Sequence, residues 1–308
     1  MRILVTGAAG FIASHIADAL VAAGHQVSVI DDLSSGRREN LNPGARFYQL
    51  DVQDPAVADV FRDERPEVLC HHAAQMDVRR SVADPVFDAR VNLLGLLNLM
   101  EHGRQHGLKR VVLASSGGAI YGEQESFPAT ETHKTEPVSP YGVAKLASER
   151  YLFFYSVTYG ISYAALRYAN VYGPRQNPHG EAGVVAIFTE KLLRGDEPII
   201  NGDGRQTRDY VYVGDVVRAN LAALESSFVG AVNFGTGIET DVNALFHVLA
   251  RLCGSAAPER HGPAKAGEQR RSVIDNALAK RVLGWQPQVR LEDGLRETVA
   301  FFRARLRA

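Results

Sequence analysis

Short, continuously apolar runs alternate with stretches of helical periodicity along the first half of this 308-residue chain. Arg2 to Thr6, Val27 to Asp31, Phe47 to Val52, Val68 to Ala74 and Val111 to Ser115 read as strands, and helical patterns fill the gaps between them. That alternation predicts an α/β fold, a doubly wound parallel sheet with helices on both faces and right-handed crossovers. Beyond about Tyr172 the pattern changes. A polar, turn-rich stretch, GPRQNPHGEAG, precedes a helix near Val184 to Arg194, and mixed strands and helices follow. CGSAAPERHGPAKAGEQ is the one long loop candidate.

Composition narrows the classes of function. With 45% apolar and 22% charged residues the chain can bury a full core. A formal net charge of -1 provides no field for nucleic acid or an anionic bilayer, so neither is an expected partner. No run reaches the length of a membrane span, and MRILVTG enters a strand directly, so the expected location is cytoplasmic. Cys70 and Cys253 match no metal-ligand spacing, and adjacent His71 and His72 in a strand point to opposite faces, so no metal is expected.

Candidate chemistry begins at residue 7. ILVTGAAGFIASHIADAL places Gly7, Gly10 and Ala13 between a strand and an amphipathic helix, where glycines let the backbone approach a pyrophosphate at the helix N-terminus. About 18 residues beyond Ala13 the second strand ends in Asp31, placed to accept hydrogen bonds from ribose hydroxyls and to repel a 2'-phosphate. NAD is therefore the expected cofactor, with Arg37 and Arg38 as the competing signal for NADP. Asp51 and Val52 either flank the adenine or, in the case of Asp51, cap the next turn.

SPYGVAKLASERY sets Tyr141 and Lys145 four residues apart on one helical face, after Ser139 as N-cap and Pro140 in the first turn. A free phenol has a pKa of about 10, so only about a thousandth is ionised at neutral pH. An ammonium at about 4 Å would favour the phenolate by as much as roughly 3 pKa units, making Tyr141 a base near neutrality.

In order along the chain, TGAAGFIAS, DDLSSG, HHAAQ, VNLLG, ASSGGAIYG, SPYGVAK, LRYANVYGPRQ, HGEAGVVAIF, RDYVYVGDV and NFGTG resemble the extended short-chain dehydrogenase/reductase family, most closely its UDP-sugar 4-epimerases of the UDP-glucose 4-epimerase type. The resemblance implies a Rossmann NAD-binding domain over 1–169 and a nucleotide-sugar domain over 170–308, with 208–237 returning to the first. It implies transient oxidation of a UDP-sugar at C4' by bound NAD, then reduction from the opposite face. By the same resemblance NAD is contacted by Gly7, Gly10, Phe11, Ile12, Asp31, Asp32, Ser35, Gly36, Asp51, Val52, Ala73, Ala74, Asn92, Ser115, Tyr141, Lys145 and Tyr168. The sugar nucleotide is held by Ser116, Tyr141, Asn170, Gly183, Val184, Val185, Arg208, Lys265, Glu268 and Ser272. Arg208 suits a diphosphate through its planar fork, although an ion pair with Asp209 is the alternative. Relatives form homodimers through two helices, here Asp84 to His106 and Pro140 to Tyr159.

Several positions depart from the family pattern. Many relatives carry the catalytic Ser or Thr four residues before the tyrosine of the YG pair, which here is Gly117. Ser116 is expected to take that role beside Tyr141 and Lys145, with Ser115 bonded elsewhere. Ala119 stands where dehydratases and decarboxylases of the family carry a glutamate, so elimination lacks its base. Lys265 and Glu268 replace an Arg and an Asp, with Arg270 or Arg271 able to compensate, and Met76 replaces a cofactor-contacting lysine. Ser272 is small where some relatives carry tyrosine, which implies room for an N-acetyl group and turnover of UDP-GlcNAc and UDP-GalNAc. His179 is expected in a loop near the sugar. The alternatives are a 4-epimerase of UDP-glucuronate or another nucleotide sugar and, from a different class, a non-catalytic NAD-binding sensor or scaffold.

Overall fold

A computed structural model describes residues 1–178, 183–264 and 269–307. In chain order the elements are β1 (Arg2–Thr6), α1 (Phe11–Ala22), β2 (Gln26–Ile30), β3 (Arg46–Tyr48), α2 (Val57–Glu64), β4 (Val68–His71), α3 (Val78–Ala83), α4 (Pro85–Ala89), α5 (Gly95–Gln105), β5 (Arg110–Ser116), α6 (Pro140–Tyr159), β6 (Ser162–Tyr168) and β7 (Asn170–Tyr172). Then come α7 (Val184–Arg194), β8 (Ile199–Asn201), β9 (Thr207–Tyr212), α8 (Val213–Glu225), β10 (Gly230–Phe234), β11 (Glu239–Asp241), α9 (Val242–Cys253), β12 (Arg260–Gly262), β13 (Arg271–Ser272), α10 (Ala277–Leu283) and α11 (Leu291–Arg305).

Seven parallel strands form the main sheet in the order β10-β6-β5-β4-β1-β2-β3. Its central strands are covered on both faces, which is why they are apolar at successive positions. Ile3, Val5, Cys70, Val112 and Leu166 face one core, with Ile16, Leu20 and Val216 from α1 and α8. Leu4, Leu69, Val111, Leu113 and Ala165 face the other, with Phe61, Leu96, Leu99 and Leu152 from α2, α5 and α6.

A second layer is built around β9, flanked by β7, β11 and β13, with β8 and β12 as a separate pair. Its own core joins Tyr172, Phe188, Tyr210, Phe246 and Leu295 from β7, α7, β9, α9 and α11. Among the described residues no helix is long and apolar enough to cross a membrane.

Some boundaries differ from the sequence expectation. The strand read to Ala74 stops at His71, because Thr6 Oγ1 accepts from both His72 N and Ala73 N at 3.1 Å and draws the chain out of the ladder. The strand read to Val52 stops at Tyr48, and the chain turns at Asp51, whose carbonyl accepts from Asp54 N at 3.0 Å. The helix read over Asp84 to His106 is α4 and α5 joined by a π-helical turn, Arg90–Leu94, which carries Asn92 into the interior. Of the segment expected to return to the sheet, α8 and β10 do so, whereas β9 belongs to the second layer. The long loop candidate contains β12, paired in parallel with β8.

Candidate active site

The strand order reverses between β1 and β4, so the crevice for a ligand lies beyond their carboxyl ends. Gly7 follows β1 with φ +75°, and a Cβ on it would stand 2.8 Å from Ala73 N. Gly10 then caps α1 without any side-chain hydrogen bond, so the first turn, with Phe11 and Ile12, keeps its N–H groups and positive dipole for an anion. Asp31, buried just past β2, accepts from Ala9 N at 2.9 Å and Leu33 N at 2.8 Å, and burial raises its pKa. A Cβ at Gly36 would meet Ala9 Cβ at 2.7 Å and the Asp31 carboxylate at 3.0 Å. A bare backbone channel, an uncapped helix start and a carboxylate at the next strand end fit a dinucleotide. Asp32 holds the following turn by accepting from Ser34 N and Oγ, with Ser35 exposed beside it. Arg37 pairs with Glu39, while Arg38 bonds Gln49 and lies over Phe47, so both arginines are engaged away from the carboxylate.

Other expected cofactor residues have their side chains committed within the protein. Asp51 accepts from Gln53 N at 2.8 Å, which is the turn-capping alternative, and buried Val52 packs where α5 starts, at Gly95. Asn92 Oδ1 accepts from Gln75 N, and its Nδ2 donates to Gln75 O and Asp88 Oδ1, each at 2.9 Å. Both amide protons are used, so this side chain holds the loop carrying Ala73, Ala74 and Gln75. The Tyr168 hydroxyl lies among His72 Nε2 at 3.2 Å and Asn220 Nδ2 at 2.8 Å, and burial raises its pKa. The Tyr168 ring therefore belongs to the sheet core, and its carbonyl accepts from Gly117 N at 2.8 Å.

At the end of β5 the two hydroxyls part. Ser115 Oγ donates to Glu149 Oε1 at 2.6 Å in the interior, whereas Ser116 is paired with the Tyr141 phenol. Gly117 cannot carry a larger side chain without displacement: a Cβ there would be 2.7 Å from Ile274 Cδ1. Tyr141 and Lys145 lie in the first turns of α6, which Ser139 caps by accepting from Gly142 N at 3.2 Å. Lys145 is buried, with Nζ 5.7 Å from the Tyr141 ring centroid. Burial, and then the charge of Asp88, push the phenol up to about 12, while the Ser116 hydrogen bond works downward. Burial holds Lys145 down to about 8 against the opposing pull of Asp88. Withdrawing both groups from water penalises both charges, which works against the ionisation that the Tyr141–Lys145 spacing was expected to favour.

Across the crevice, β7 and β13 flank β9 and place Asn170 opposite Tyr210 and Ser272 opposite Arg208. Arg208 Nη1 donates to Thr207 O at 2.7 Å. Asp209, on the other face of the strand, accepts from Thr236 N and Oγ1 and from Gly237 N. Ser272 is buried. Gly183 caps α7 without a side-chain hydrogen bond, followed by half-buried Val184 and buried Val185. Lys265, Glu268 and His179 lie outside the described residues. Arg271 pairs with Glu239 and stacks on Phe127, and Arg270 pairs with Asp203. Met76 is exposed. Among the described residues no cluster of three or more His, Cys, Asp or Glu side chains is arranged to hold a metal ion.

Sequence reasoning missed two buried groups beside this site. One is Asp88 with Gln75. The other is Glu149 with Arg167, and Glu149 could have been found by its spacing, four residues beyond Lys145 on the face that carries Tyr141.

The sequence profile described as the NAD dependent epimerase/dehydratase family matches residues 3–235. The UDP-glucose 4-epimerase of Mycolicibacterium smegmatis is 47% identical over 98% of this chain and 99% of its own. The UDP-glucose 4-epimerase of Thermotoga maritima, solved with UDP-glucose, superposes with a TM-score of 0.98 at 50% identity, covering 99% of this chain and all of that one. That of Thermus thermophilus, solved with NAD, gives 0.94 at 47% identity over 98% and 99% of the two chains. With its dinucleotide cradle, its Tyr-Lys pair and this likeness from end to end, the chain belongs to the NAD dependent epimerase/dehydratase family of enzymes.

Proposed function

We propose that the protein is a UDP-glucose 4-epimerase that interconverts UDP-galactose and UDP-glucose. The observation that carries this reading is the convergence of Ser116, Tyr141 and Lys145 at the end of β5, at the same carboxyl edge of the parallel sheet as the uncapped start of α1. Ala119 offers no carboxylate at the position two residues before Tyr121, which favours chemistry confined to C4'.

NAD would rest on Gly7, Gly10, Phe11 and Ile12, with Asp31 and Gly36 at its adenosine end and Ala73 and Ala74 along the lip; when bound it supplies the acceptor and later donor of the C4' hydride. Tyr141 takes the proton of the 4'-hydroxyl and returns it after the sugar has turned over. Ser116 hydrogen-bonds the same oxygen and, beside the Tyr141 phenol, eases its ionisation. Lys145 supplies the compensating positive charge. Proton loss from the buried Tyr141–Lys145 pair yields either neutral lysine or phenolate with ammonium, and these two forms carry the same net charge.

Asn170 and the start of α7 face the sugar nucleotide, with Arg208 on its diphosphate. Small Ser272 in the strand beside Arg208 leaves room at C2', so UDP-GlcNAc and UDP-GalNAc are further substrates. Exposed Val86 and Leu94 on one helical segment and Val143, Tyr151, Phe154 and Val157 on α6 form an apolar face that pairs with a second copy, giving a cytoplasmic homodimer.

The test is conversion of UDP-galactose followed by the anomeric proton signals, first without and then with added NAD. UDP-glucose as product supports the reading. Silence with UDP-galactose, alongside turnover of UDP-glucuronate, overturns it.

A further inference from the structure

Behind the reacting groups lies a buried ion pair that the chemistry does not use. Glu149 on α6 and Arg167 on β6 have side chains only 6% exposed each. Arg167 Nε donates to Glu149 Oε1 at 3.0 Å and Nη2 to Oε2 at 2.7 Å, a two-pronged contact. Its remaining arm, Nη1, donates to the Tyr121 hydroxyl at 2.9 Å, and that hydroxyl donates to Asn233 Oδ1 on β10 at 2.6 Å. Glu149 Oε1 also accepts the Ser115 hydroxyl at 2.6 Å. Burial works against the Arg167 charge, and the bonds from Glu149 more than offset it.

The residues joined in this way frame the reacting set. Glu149 lies two turns along α6 from Tyr141 and one turn from Lys145, on the same face. Ser115 immediately precedes Ser116, and Tyr121 directly follows the turn from Ser116 to Ile120 that begins there. A buried ion pair is a weak source of stability, because desolvation takes back most of the attraction. Its planar, two-pronged geometry instead fixes direction and register.

We infer that the Glu149–Arg167 pair, with Ser115 and Tyr121, is a positioning device that sets the register of the catalytic helix against the end of β5, so that Ser116 meets Tyr141. Glu149 and Arg167 do not touch the substrate; they act through Ser115 and through α6. The inference builds on the epimerase reading proposed above, and its test includes a readout that does not depend on the substrate.

The experiment compares the unaltered enzyme with Glu149→Leu/Arg167→Met, which removes both charges together, and with Glu149→Gln, which keeps one acceptor oxygen for Ser115 and Arg167 Nε but turns an amide NH2 toward Arg167 Nη2. The double variant should lose roughly 10- to 100-fold in kcat with KM changed less than about twofold, the cost of displacing reacting atoms by about an ångström. The acidic limb of its kcat profile should move to higher pH, since the phenol loses the Ser116 hydrogen bond that works its pKa downward. Glu149→Gln, which gives up one prong, should lose about fivefold or more in kcat at constant KM. A crystal structure of the double variant should show the Ser116–Tyr141 hydrogen bond broken.

Unchanged kcat and pH profile with only a lowered Tm would make the pair structural and overturn the inference, as would an intact Ser116–Tyr141 hydrogen bond in the variant crystal. If the double variant does not fold, Arg167→Lys decides, because it keeps the charge and gives up the fork: kcat should fall about fivefold or more at constant KM, and an unchanged kcat overturns the inference. If the unaltered enzyme turns over no UDP-sugar, the epimerase reading fails, and the crystal readout still judges the positioning claim.

Discussion

Gly117→Ala tests the turn that carries the catalytic hydroxyl. The added Cβ would stand 2.7 Å from Ile274 Cδ1 and 3.2 Å from Tyr168 O, the carbonyl that binds the Gly117 N–H. Ile274 is 1% exposed and packs with Ile120, Tyr121 and Ala129, so its methyl retreats only by leaving its rotamer or by moving that cluster. Overpacking of this kind costs about 1–3 kcal/mol, which for a chain of this size lowers Tm by roughly 2–6 °C. Gly118→Ala is the control, since a Cβ there has nothing nearer than Asn170 Oδ1 at 3.9 Å; it should be neutral or stabilise by up to about 1 kcal/mol.

Ile274→Val deletes the obstructing methyl and costs about 0.5–1.5 kcal/mol by itself. In Gly117→Ala/Ile274→Val the two penalties should partly cancel, with a coupling energy of about 1 kcal/mol. Because Ser116 is the adjacent residue, kcat with UDP-galactose should fall roughly tenfold in Gly117→Ala and recover in the pair. Calorimetric melting of the four proteins and the NMR turnover assay supply the numbers. A Gly117→Ala protein with unchanged Tm and kcat, or a coupling energy near zero, refutes the packing argument. The same geometry predicts that Gly117→Ser adds strain and does not restore the hydroxyl found in other relatives.

Ser116→Ala should reduce kcat by about 10²-fold or more with little change in Tm, while Ser115→Ala should act mainly through Glu149 and leave a smaller loss; equal kcat values for the two would contradict the division of labour between them. Because Tyr141 and Lys145 lose a proton together near the about 8 to which burial holds Lys145, kcat/KM should climb as pH approaches that value, and a profile flat from about pH 6 to 9 would exclude the pair as the titrating base. Burial lowers His72 to about 3, so the unfolded chain takes up its proton first as pH falls through about 6.5. Stability from this residue is therefore complete above that pH and lost below it, by about 2 kcal/mol at pH 5, with buried His71 acting in the same direction. Melting at pH 7 and 5 should show a smaller acid shift for His72→Asn than for the unaltered protein, and equal shifts would place the acid sensitivity elsewhere.

The parallel sheet was legible because strands buried on both faces leave unbroken apolar runs, and the start of α6 because Ser139 and Pro140 mark it. Strand ends were less legible: β4 stops at His71 through a side-chain bond to Thr6, a residue far away in sequence. The π-helical turn at Arg90–Leu94 also escaped the sequence, since apolar periodicity reports which face is buried and says little about one extra residue in a turn. At the site, the cofactor cradle was readable from glycine spacing and a carboxylate. The sequence led to the expectation that Ser116 faces Tyr141 and Ser115 is bonded elsewhere; what remained hidden was the partner of Ser115, Glu149, which lies 34 residues further on in α6. The desolvation that keeps Tyr141 a weak acid is likewise a property of the assembled pocket, which residue spacing does not encode.

The late arrival of β10 has a consequence for biosynthesis. This edge strand pairs with β6 and places Phe234 against Trp285 at 4.8 Å, yet residues 169–229 separate it from β6. At ordinary translation speeds of about 5–20 residues per second, β6 emerges roughly 3–12 s before its partner. During that interval its outer edge and the apolar surface later covered by α8 stand open on the ribosome. A fragment ending near residue 169 would be frozen in that state, so the dinucleotide-binding half should be produced with β10 and α8 attached or it will recruit chaperones and aggregate.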